Sequence, residues 1–152
     1  MRRICGAVFL IVSIAAFSSL SSEPTFEEWQ SLTDEALDHY YYHRYKEAVE
    51  VAREALKVAI ELFGPEDLKV VGSLDNLASY LAATGEYEEA DELYQRAFSI
   101  LQKKLPADDG YLAIFMDYLA IFYEKIGRVE YAEELRSRAR SIRLKKTKQD
   151  QK

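Results

Sequence analysis

Cysteine is nearly missing from this 152-residue chain, and the one copy, Cys5, stands at its extreme start. Once an N-terminal segment is removed, no disulfide and no thiolate metal ligand remain, so stability must come from packing alone. Histidine is almost as scarce, with only His39 and His43. There is no glycine-rich phosphate loop. Basic residues are also few along the body: from Glu23 to Leu135 there are 25 acidic residues against 10 basic ones. An acidic body of this kind repels nucleic acid. The carboxylates are scattered over helix exteriors rather than paired, so acid–base catalysis has little support. The composition implies no enzyme, no cofactor and no metal.

The two ends differ from the body. Arg2 and Arg3 precede an apolar run from Ile4 to Phe17, followed by Ser18-Ser19-Leu20-Ser21-Ser22. This succession is that of a secretory signal over residues 1–22, with cleavage after Ser18 or Ser21. The run falls short of the roughly 20 apolar residues that a membrane span needs. The expected location is therefore exported, periplasmic or secreted; an anchor over residues 4–20 is the alternative, and the only membrane contact foreseen. From Arg136 onward eight basic residues face Asp150 alone. Cations suit the carboxyl end of a helix. Residues 147–152 are expected as a basic, disordered tail.

What is abundant is repetition. Ala48, Ala90 and Ala132 stand at equal intervals, as do Ala55, Ala97 and Ala139, Glu50, Glu92 and Glu134, and Val51, Leu93 and Leu135. The period is 42 residues. Between the second and third copies it widens to Asp67/Asp109, Leu77/Leu119, Ala78/Ala120, Tyr80/Phe122 and Gly85/Gly127. Self-similarity at this spacing means stacked supersecondary units.

Each unit reads as two helices. Leu68, Val71, Leu74, Leu77, Ala78 and Leu81 recur at three- and four-residue steps, one apolar helical face. Gly85 stops that helix, and a second carries Tyr87, Ala90, Leu93, Tyr94, Ala97, Phe98 and Leu101 inward. The third unit repeats the plan around Gly127. In the first, Thr25 and Glu28 make a capping box. The fold class is all-α: a solenoid of three helix-turn-helix repeats filling 23–146, at about 26–64, 68–106 and 110–145. The recurring alanines mark close helix crossings, Ala48, Ala90 and Ala132 on one side and Ala36, Ala78 and Ala120 on the other.

The pattern Leu74…Leu77-Ala78…Leu81…Gly85-x-Tyr87…Ala90…Tyr94…Ala97 resembles the tetratricopeptide repeat. Its period and its acid-Pro turns are most similar to the kinesin-light-chain type. The likeness covers residues 26–145. Arg136 and Arg140 stand where the second copy has Tyr94 and Phe98, and Glu35 and Asp38 where the later copies have apolar or aromatic residues. Both substitutions suit the uncovered ends of a short array.

The resemblance implies a non-catalytic binding module whose first helices line a groove for a peptide or helix. By helical phase the groove presents Thr33, Leu37, Tyr40 and Tyr41 from the first unit. The second adds Asp75, Asn76 and Ser79 with Ala82-Ala83, and the third Asp117, Ile121, Glu124 and Lys125. Thr33, Asp75 and Asp117 lie one period apart and give the groove an acidic spine, so a basic or amphipathic partner is expected. At least one ring of Tyr40-Tyr41-Tyr42 should be exposed. His39 and His43, four apart, would share a helix face. The alternatives are self-association into a homo-oligomer, basic end to acidic body, or an auxiliary subunit of an enzyme complex.

Overall fold

The computed structural model describes residues 23–150; the expected signal segment and residues 151–152 lie outside them. Six helices follow one another: α1 (Phe26–Tyr41), α2 (Tyr45–Phe63), α3 (Leu68–Thr84), α4 (Tyr87–Lys104), α5 (Gly110–Lys125) and α6 (Val129–Asp150). There is no strand among the described residues. None of these helices is long and apolar enough to cross a membrane. Helix α6 continues through residues 147–150, so the stretch expected as a disordered tail is helical to that point.

The period is written into the helix ends. The first helix of every unit starts on an oxygen-bearing cap, and these caps are spaced by 42 residues: Thr25, Asp67 and Asp109. Thr25 Oγ1 accepts from the Glu28 amide at 3.1 Å, and Asp67 and Asp109 accept from the amides of Lys69 and Tyr111 at 2.8 and 2.7 Å. Each cap satisfies an amide that has no partner inside its own helix. The turn that follows requires a positive φ, taken by Gly85 and Gly127 in the later units and by His43 (φ 59°) in the first.

The recurring alanines lie in the core between the helices. Ala48, Ala90, Ala132, Ala78 and Ala120 are wholly buried and Ala36 nearly so, and all belong to one continuous core. Leu74, Leu81, Leu101, Phe115, Met116, Leu119 and Leu135 fill the spaces beside them. A larger side chain at these positions would push the helices apart, so the sequence keeps the small residue there.

Successive units are also joined by specific contacts. Trp29 Nε1 donates to Ser73 Oγ at 3.0 Å, tying α1 to α3. Arg53 grips Glu89 with both guanidinium nitrogens, tying α2 to α4. Between the second and third units Tyr94 packs on Phe122 at 4.8 Å and Phe98 stacks with Phe115 at 6.2 Å. The backbones of α4 and α5 stand farther apart than those of α2 and α3, with these aromatic rings between them. The wider second junction leaves room for a cleft.

Candidate functional site

That cleft has a volume of about 410 Å³ and is walled by Tyr40 of α1, Asp75, Ser79 and Ala82 of α3, Tyr94 of α4, and Tyr118, Ile121, Phe122 and Lys125 of α5. Six of the residues selected by helical phase therefore come together: Tyr40, Asp75, Ser79, Ala82, Ile121 and Lys125. Tyr118 was passed over, although it stands one period after Asn76, and that spacing was the signal that could have found it. Tyr94 reads as inward-facing from the sequence, and Phe122 only as the counterpart of Tyr80; both are buried and both line the cleft.

Asp75 is the distinctive group. Its carboxylate has no hydrogen bond and no ion pair among the described residues, and burial pushes its pKa up to about 6. Around it the phenols are held protonated. Burial, with the Asp75 charge adding to it, raises Tyr94 to about 12. Tyr80 is pushed up to about 12 chiefly by burial, with Tyr40 and Asp75 adding. Tyr80 stacks beneath Tyr40 at 4.8 Å, and its buried hydroxyl has no partner among the described residues. The Ser79 and Tyr94 hydroxyls share a hydrogen bond of 2.9 Å. On the opposite wall Lys125 donates to the Ala82 carbonyl at 3.1 Å and lies 5.5 Å from the centre of the Tyr87 ring. Tyr118 and Ile121 are 57% and 59% exposed, so the outer wall on α5 is apolar and uncovered.

The rest of the expected groove is arranged differently. Asp117 and Glu124 do not line the cleft: Arg143 of α6 pairs with Asp117, and Arg136 pairs with Glu124 through both nitrogens. The Arg136 hydrogen bonds hold the Glu124 carboxyl below the usual carboxylate range. The acidic spine is thus broken at its third member, where α6 supplies an arginine to the aspartate. Two arginines of the basic end are engaged within the chain in this way. Thr33 Oγ1 donates to the Trp29 carbonyl at 2.8 Å, and Asn76 is half-buried outside the cleft. Leu37 and Tyr41 are exposed on α1, with Tyr41 set edge-on to Tyr42.

The histidines do not share a face. His39 lies 3.7 Å from Glu35 on α1, whereas His43 sits beyond the helix end with Nδ1 2.7 Å from the Tyr45 hydroxyl. The positive φ at His43 turns it off the helix. Among the described residues no three His, Cys, Asp or Glu side chains gather as a metal site would require.

A family profile described as tetratricopeptide repeat matches residues 30–103. No curated protein matches the chain in sequence. Among solved structures, BtubC (BKLC) from P. vanneervenii superposes with a TM-score of 0.70 and 24% identity, over 77% of this chain and 46% of that one. A Podosopora anserina protein assigned as a kinesin light chain, with nearly identical TPR-like repeats, gives a TM-score of 0.69 and 25% identity over 77% of this chain and 56% of its own. A point variant of the latter gives 0.71 and 24% over 82% and 58%. The chain spans about half the length of the structures it matches. Repeats of this family serve protein–protein interaction and are generally non-catalytic scaffolds. With 42-residue units of paired helices, the chain has the tetratricopeptide-repeat fold, and residues 30–103 match that family's profile.

Proposed function

We propose that this protein is an exported, non-catalytic adaptor that holds a peptide or helix of a partner protein along the cleft between α3 and α5. The preferred segment is basic or amphipathic. The observation that carries this reading is Asp75, a half-buried acid with no counter-ion among the described residues, beside the exposed side chains Tyr118 and Ile121. A cation from a partner would restore what burial took from that carboxylate, and an apolar neighbour would cover the uncovered wall. Export rests on the charged, apolar and small-residue succession of residues 1–22.

Two measurements test these readings. Titration with peptide pools rich in Lys and Arg, and with pools rich in Asp and Glu, should show saturable binding only for the former. Preference for the acidic pool would end the groove proposal. For export, the intact mass of protein recovered outside expressing cells should begin at Ser19 or Ser22; an intact N-terminus on cytosolic protein would refute it.

A further inference from the structure

The repeat contains its own precedent for what the cleft accepts. Asp75 and Asp117 are equivalent, one period of 42 residues apart. In the third unit the aspartate is met by Arg143, which also donates to the Ala113 carbonyl at 3.4 Å. One period earlier the corresponding positions are Asp75, Leu101 and Val71. Leu101 is fully buried and brings no charge. The same helix pair therefore carries the acid in both units and the cation in only one. Where the chain supplies the cation the flank is closed; where it does not, there is a cleft.

We propose that the cleft seats one arginine side chain of the partner segment, its guanidinium against Asp75 and its stem and planar face against the tyrosine walls. This rests on the groove-binding reading above and narrows it to a single anchor. The cation on the cleft wall, Lys125, is directed to the Ala82 carbonyl and the Tyr87 ring rather than to Asp75. The phenols near Asp75 stay neutral, so they neither compete as anions nor satisfy the carboxylate's charge. Tyr118 offers an exposed ring face, and Tyr40 and Tyr94 bound the same space. A guanidinium is planar, weakly hydrated and able to stack on an aromatic ring while its edge pairs with a carboxylate, which an ammonium does less well. A cleft of about 410 Å³ has room for one long side chain and a short length of the backbone that carries it.

The test uses the full chain and a pair of acetylated, amidated nine-residue peptides of alanine and leucine. One has a central arginine, the other citrulline, which keeps the shape and removes the charge. Calorimetric titration should give an affinity at least about ten-fold higher for the arginine peptide. Asp75→Asn should abolish that ratio, and Asp117→Asn, outside the cleft, should leave it intact. Equal affinities for the two peptides, or a ratio unchanged in Asp75→Asn, overturn the anchor. The comparison on the unaltered protein stands even where a variant folds poorly. Tyr118→Ala separates the two levels of the argument. If both peptides bind equally and both weaken in Tyr118→Ala, the groove reading survives and the arginine anchor falls. If neither binds, or both bind without regard to Tyr118, both readings fall.

Discussion

Tyr123 donates its hydroxyl proton to Asp91 at 2.5 Å across the seam between the second and third repeats. The same carboxylate accepts from Gln95 and from Arg128, each at 3.0 Å. Tyr123 is all but fully buried, so its hydroxyl has no water to fall back on. Burial, then the Asp91 hydrogen bond, pushes the phenol well above its ordinary pKa. This polar knot joins the two repeats beside the aromatic contacts of Tyr94 with Phe122 and Phe98 with Phe115.

Tyr123→Phe should cost about 1 kcal/mol, the net worth of one hydrogen bond. Asp91→Ala should cost more, about 2–3 kcal/mol, since it strands the buried hydroxyl as well as freeing Arg128. The double variant should cost less than the two added together, because the stranded hydroxyl is gone. Urea unfolding of the four proteins measures all three quantities.

Asp75 should make the protein more stable as the solution becomes mildly acidic. Its folded pKa of about 6 lies above the ordinary value of 3.8, so the folded state binds the proton more tightly than the unfolded one. Between those two values stability rises as pH falls, and above about pH 6 the charged carboxylate weighs against folding. Asp75→Asn should then stabilise the protein at pH 7 by on the order of 1–2 kcal/mol, with the gain vanishing below about pH 4. Chemical-denaturation midpoints of both proteins across that range decide it; parallel curves would mean the carboxylate is solvated.

Much of this architecture was legible because it follows from short-range rules. Gly85 and Gly127 announce helix ends, Thr25 and Glu28 announce a start, and alanines one period apart announce core positions. The cleft was legible only in part. Helical phase places Asp75 and Asp117 at equivalent positions, one period apart. Phase is silent about what the next element supplies, and there the two copies diverge: Asp75 faces the opening beside α5, while Asp117 faces Arg143. Tyr118 and Phe122 show the other limit. An aromatic at helical spacing reads as core, and only the third dimension separates the ring that is covered from the one that is not.

His43 is strained where its counterparts are not. It is the one non-glycine residue with positive φ among those described, at 59°, and Gly85 and Gly127 occupy the same turn at 91° and 81°. A side chain in the left-handed region costs about 1–2 kcal/mol, whereas glycine loses more backbone entropy on folding, about 0.5–1 kcal/mol. His43→Gly should therefore stabilise the first repeat by about 0.5–1 kcal/mol, less the exposed contact with Tyr45. Gly85→Ala should do the reverse by about 1 kcal/mol, from strain alone, since an added methyl group meets nothing within 4 Å. Thermal midpoints of opposite sign for the two variants are the expected result.

Gly72 presents the opposite case, a glycine with no conformational reason to be there. It lies inside α3, it is exposed, and a Cβ built on it meets nothing within 4 Å. Glycine in a helix interior costs about 0.5–1 kcal/mol relative to alanine, so Gly72→Ala should raise stability by that amount. The position is one helical turn before Asp75 and Asn76, on the same side of α3 as the cleft. Bare backbone at such a place allows another chain to approach closely. If that is its use, Gly72→Ala will bind the arginine peptide more weakly while melting at a higher temperature. General damage to the fold would move both readings downward, and a purely solvated glycine would leave binding unchanged. Only a contact made through the missing side chain drives stability and affinity in opposite directions.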